Sequence, residues 1–154
     1  MTIFGFFLTF HIISGILCLI VGLAAAFAKK QHGWHTFLGE LYHGSYVVVF
    51  VSAVVISIMH WQESAYLFFI ALFSYGLALF GYRARKKRPL NWLSKHIGGM
   101  LGSYIGIVTA VLVVNINGIP IVNEWPALIF WLLPTVIGTP IIITVSRGVQ
   151  TRPS

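Results

Sequence analysis

Charge is what this chain of 154 residues has least of: 8% of its residues are charged, where a soluble domain carries about a quarter. So few charges cannot cover a water-facing surface on a protein that is 58% hydrophobic, with a mean hydropathy of +0.89. Only three of the charges are acidic. Cysteine is nearly absent too. Cys18 stands alone in an apolar run, which excludes a disulfide within the chain and a thiolate metal cluster. The polar length needed for a nucleotide-binding fold or a separate catalytic domain is missing as well. What fills the chain instead is apolar sequence, enough for four or five spans at roughly 20 residues each.

Five such runs are visible, and together they predict an all-α integral membrane protein, a bundle of five transmembrane helices in one domain. They cover residues 3–28, 34–60, 65–82, 94–115 and 126–145. The first could be mistaken for a signal peptide. No basic residue precedes it, however, and it is longer than a signal h-region, so it reads as a retained helix. The connections are a tight "WQES", a basic "RARKKRPLNW" and "INGIPIVNEWP", whose Gly and Pro punctuate a loop.

The formal net charge of +7 could suggest a nucleic-acid partner. The positions of the basic residues argue against one. Lys29 and Lys30 fall in the first loop, Arg83, Arg85, Lys86, Lys87, Arg88 and Lys95 in or beside the third, and Arg147 and Arg152 in the tail. With five spans, all ten lie on one side, and Glu63 and Glu124 lie on the other. The positive-inside rule then puts the N-terminus outside and the C-terminus in the cytoplasm.

Small residues mark the faces where helices meet. His11, Gly15, Cys18, Gly22 and Ala25 form one stripe on the first span. Gly98, Gly102 and Gly106, flanked by Gly99, Ser103 and Ala110, form another on the fourth, expected to pack against the first or second. Pro134 and Pro140 predict a bend in the fifth.

Six histidines accompany the three acids. His32 reads as a solvated loop residue and His60, beside Trp61, as an interfacial anchor. His11, His35, His43 and His96 lie within or at the edge of spans, where an ionisable group is a functional hypothesis by default. At about 1.5 Å of rise per residue, His35 and His96 both lie within roughly 3 Å of the cytoplasmic edge, and His43 is about 12 Å deeper. His11 is deeper again. Two imidazoles at one depth, with small residues beside them, suit haem b. His35 with Gly39 and Tyr42, and His96 with Gly99 and Ser103, supply that combination, with His43 and His11 as further candidates. A zinc site needs three or four ligands, and His35, His96 and either His43 or Glu40 could be gathered by a helix tilt.

Three segments also resemble a known family. "HIISG" in the first span, "KKQHGWHTFLGELY" entering the second and "KHIGGMLGSYIGIVTAVLVVN" forming the fourth are similar to the bacterial predicted membrane proteins grouped as domain of unknown function 2306. The matching positions are His11, then His35 with Gly39 and Tyr42, and then His96 with Met100, Gly102, Ser103 and Tyr104. Thr36 departs from the pattern, which has an Arg there. The resemblance implies a role for the histidines and no particular reaction.

Four functions follow as expectations. The first is a small haem-binding membrane protein passing electrons, with a quinone or another redox carrier as partner. The second is a zinc-dependent membrane enzyme with Glu40 as general base, although no HExxH motif is present. The third is a proton or ion transporter, for which a homo-oligomer would enclose the pore. The fourth is an accessory subunit whose histidines are structural. Beyond the lipid bilayer, no partner is named by the sequence.

Overall fold

The computed structural model describes residues 2–30, 33–118 and 126–150. His32, Glu124 and Arg152, read above as loop and tail residues, lie outside the described residues. The described chain is helical, with no strand: α1 (Ile3–Phe27), α2 (Trp34–Met59), α3 (Trp61–Lys87), α4 (Trp92–Asn115), a short 3-10 turn (Ile116–Gly118) and α5 (Ala127–Gln150). All five helices are long and apolar enough to cross a membrane. α5 continues through Pro134 and Pro140.

The third helix differs most from its expected span of 65–82. It starts at Trp61, so "WQES" is its first turn, and it runs on through the basic residues to Lys87. The charges explain the extra turns. Glu63 sits in the first turn and Arg85, Lys86 and Lys87 in the last, where each sign opposes the helix dipole. The link to α4 is then only residues 88–91, with Arg88 and Asn91 at positive φ. Gly33, at φ 117° and ψ −120° before α2, holds a conformation open only to glycine.

The chain divides into two compact units, Met1–Tyr75 and Gly76–Ser154. In the first unit α1 packs on α2. The buried residues are Ser14, Cys18 and Val21 on α1, and Tyr42, Ser45, Tyr46, Val49, Ser52 and Ser57 on α2. Their spacing of three and four is one helical stripe on each. These faces are more polar than the outward ones, where Ile12, Ile13, Ile16 and Ile20 are at least half exposed. That is the reverse of a water-soluble domain. Two of the buried hydroxyls on α2 are satisfied within that helix: Ser45 Oγ donates to Leu41 O at 2.8 Å, and Ser52 Oγ to Val48 O at 2.7 Å. The α3 part of this unit ends at Tyr75, whose ring stacks on Phe50 at 4.5 Å and 13°.

In the second unit α4 packs on α5, where the Ile105 side chain fills the space a Cβ on Gly138 would take. On the α3 side, a Cβ on Gly99 would stand 2.5 Å from Gly81 Cα, and one on Gly81 would stand 2.7 Å from Met100 N. Neither glycine can carry a side chain, because α3 and α4 meet there backbone to backbone. Of the expected α4 stripe and its flanks, Gly99 is a close-packed position against α3 and Gly102 stands near Leu77, whereas a Cβ on Gly98 would meet no atom within 4 Å.

Candidate histidine sites

Three of the four candidate histidines are placed by a helix end or a small residue. His35 is the second residue of α2, and its Nδ1 lies 3.0 Å from Ala25 O. Ala25 is in the last turn of α1, whose final carbonyls have no intrahelical donor. Lys30 Nζ reaches the same carbonyl at 3.2 Å and Ala26 O beside it. A cation there also suits the negative end of the dipole.

His96, one turn into α4, repeats the contact: its Nδ1 lies 3.0 Å from Gly81 O. Gly81 is well inside α3, so its carbonyl also accepts the intrahelical bond of that helix. The Gly81 to Gly99 approach brings that carbonyl within reach of the imidazole.

His11, in the outer part of α1 by the sequence reading, lies with Nδ1 3.0 Å from Ser52 Oγ and 3.3 Å from Val49 O on α2. Ser52 spends its single hydrogen on Val48 O and Val49 O, so its oxygen accepts from the imidazole.

The acceptors fix the chemistry of all three rings. A carbonyl oxygen only accepts, so each Nδ1 carries the proton, and a neutral ring then holds its lone pair on Nε2. This is the tautomer in which a histidine ligates a metal or a haem iron while its other nitrogen is held by a carbonyl.

His43 is placed differently. Its ring lies along Tyr75 at 6.1 Å and 21°, in a cluster with Tyr46 and Phe50. Tyr42 is 2% exposed, edge-on to Tyr46, and its carbonyl lies 3.8 Å from Cys18 Sγ. His60 is exposed at the end of α2, with its ring 4.5 Å from Phe4. Glu40 is half-buried on α2.

Two of the residues expected to leave room for a flat ligand do not do so. Gly99 is closed by the α3 backbone. Ser103 is fully buried and donates to Met100 O at 2.8 Å. Gly39, one turn beyond His35, does leave room: a Cβ there would meet no atom within 4 Å. Among the described residues no group of three or more His, Cys, Asp and Glu side chains could hold a metal ion. A zinc set drawn from His35, His96, His43 and Glu40 would therefore need the helix movement that the sequence reading invoked. The groove of about 270 Å³ between α4 and α5, lined by Tyr104, Val108, Leu133 and Pro134 among others, carries none of the histidines.

Sequence reasoning missed Gly81, Ala25, Ser52 and Val49, the four partners that orient the rings. Gly81 had a signal. Ala78, Gly81 and Ala84 are small residues at three-residue spacing, and all are buried. The carbonyl of Ala25 had none, because a backbone acceptor leaves no mark in the side-chain pattern.

No protein-family model matches the chain, and no curated protein or solved structure matches it. The likeness to domain of unknown function 2306 therefore rests on the motif residues alone.

Proposed function

We propose that the chain is a multi-pass protein of the bacterial cytoplasmic membrane, with its N-terminus outside, that binds haem b through His35 and His96 and takes part in electron transfer. The observation that carries this reading is the repeated Nδ1–H to carbonyl contact, 3.0 Å in both cases, which fixes each ring in the tautomer whose lone pair is on Nε2. The opening at Gly39 supports it on the His35 side. Bound between two imidazoles, haem b would supply a one-electron couple whose potential the hydrogen bonds on the ligands help set. The chain's own part is to hold each ring in one tautomer and one orientation.

The test is the absorbance of protein purified from haem-replete cells. A low-spin b-type spectrum is expected, lost in His35→Ala and in His96→Ala and retained in His60→Ala. A colourless parent would count against haem, as would single variants that keep the full complement. For orientation, reporter fusions after Lys30 and Arg88 should behave as cytoplasmic and a fusion after Glu63 as external. An external signal at Arg88 would reverse the topology.

One observation favours a second reading, in which the chain is an accessory subunit. His35 serves a carbonyl that the end of α1 leaves without a donor, and that is sufficient reason for a histidine there. Under this reading the parent is colourless, and His35→Ala lowers its thermal stability with no spectral change.

A further inference from the structure

The haem reading leaves two intramembrane histidines unused: His43, whose ring lies along Tyr75, and His11. It stands eight residues into α1, about 12 Å from the start of the helix, too deep for an imidazole to reach the interface. Its Nδ1 is committed to Ser52 and Val49. Its Nε2, the lone-pair nitrogen, makes no hydrogen bond among the described residues, and it is not sealed inside the protein. A hydrogen-bond acceptor open to hydrocarbon is unfavourable unless a donor that dissolves there meets it.

The surroundings narrow the kind of donor. Gly15, one turn further along α1, leaves open space: a Cβ there would meet no atom within 4 Å. Phe6 and Phe10 are about half exposed on the turns before it. A ligand for this position therefore has a flat body that lies over Gly15, an O–H aimed at Nε2 and an apolar remainder that stays in the bilayer. We infer that His11 Nε2 accepts a hydrogen bond from the ring hydroxyl of a reduced isoprenoid quinone, a quinol, seated over Gly15. The inference rests on α1 being a membrane span and not on haem, so its test reads binding alone.

Chemistry sets a signature that general greasiness would not produce. A quinol has a donor for Nε2, whereas the oxidised quinone has only acceptors and is rejected by a lone pair. In anaerobic nanodiscs, with reductant added for the quinol measurement only, decylubiquinol should bind the parent about tenfold more tightly than decylubiquinone, the ratio one hydrogen bond supplies. The dimethyl ether of the quinol should bind as weakly as the quinone. His11→Leu should abolish the preference, and His11→Gln, which keeps an acceptor, should retain part of it. Gly15→Leu fills the open space without touching the imidazole and should weaken both redox forms.

Four results would overturn the assignment: equal affinity for quinol and quinone, a preference that survives His11→Leu, unchanged binding in Gly15→Leu, or displacement by farnesol as tight as the quinol itself. The last would mean that any membrane alcohol satisfies the site.

Discussion

His35 and His96 make the same contact for different reasons. In the first unit the acceptor, Ala25 O, lies at a helix end, lacks an intrahelical donor and is shared with Lys30. In the second the acceptor, Gly81 O, lies inside a helix that already bonds it. The first contact answers a need of the fold. The second answers none, since removing it would leave Gly81 O with its helical partner. A histidine whose tautomer is fixed by a carbonyl that already has a helical donor is the stronger functional candidate, so His96 carries more of the proposal than His35.

The largest expected effect comes from the glycines that make the second contact possible. In Gly99→Leu the side chain must displace the backbone of α3, and the loss of stability should reach or exceed the upper end of the usual overpacking range of about 1 to 3 kcal/mol. Gly102→Leu meets only the flexible end of Leu77, 3.2 Å from the new Cβ, and should fall near about 1 kcal/mol. Thermal unfolding in detergent compares the two. Equal melting temperatures would mean that the Gly81 to Gly99 approach does not hold α3 and α4 together.

A smaller effect separates the two histidines. His35→Ala weakens the end of α1 and should lower stability by about 1 kcal/mol, with Lys30 keeping part of the carbonyl satisfied. His96→Ala should lower it by about 0.5 kcal/mol or less, because its acceptor is already bonded. A greater loss in His96→Ala than in His35→Ala, in protein without bound haem, would invert the comparison.

The smallest effect tests whether His35 and Lys30 share one acceptor. Lys30→Met alone should cost a few tenths of a kcal/mol, as exposed cations at helix ends do. Combined with His35→Ala it should cost about 0.5 kcal/mol more than the sum, because only the pair leaves Ala25 O with no donor. Strict additivity would show that the two side chains act independently.

The spans were legible because hydrophobic runs of about 20 residues have few alternatives. The end of α3 was not, since a hydropathy pattern stops at the first arginine while the helix does not: Arg83 to Lys87 stay helical with their charges at the favourable end of the dipole. The histidines were legible as ionisable groups in apolar sequence. Their orientation was not, because it is set by the carbonyls of Ala25, Gly81 and Val49, which any residue would supply. Gly99 read correctly as a packing residue and wrongly as room for a ligand. A glycine marks close approach or open space alike, and only the position of the neighbouring backbone decides between them. Gly39 and Gly99 are the two outcomes.

The central claim is that His35 and His96 present Nε2 to one haem b, and haem stoichiometry by absorbance tests it most directly. The account predicts a low-spin b-type spectrum near one haem per chain in the parent and its loss in each of His35→Ala and His96→Ala, with helical content unchanged by circular dichroism. A parent that carries no haem from haem-replete cells, or single variants that keep a full complement, would contradict it.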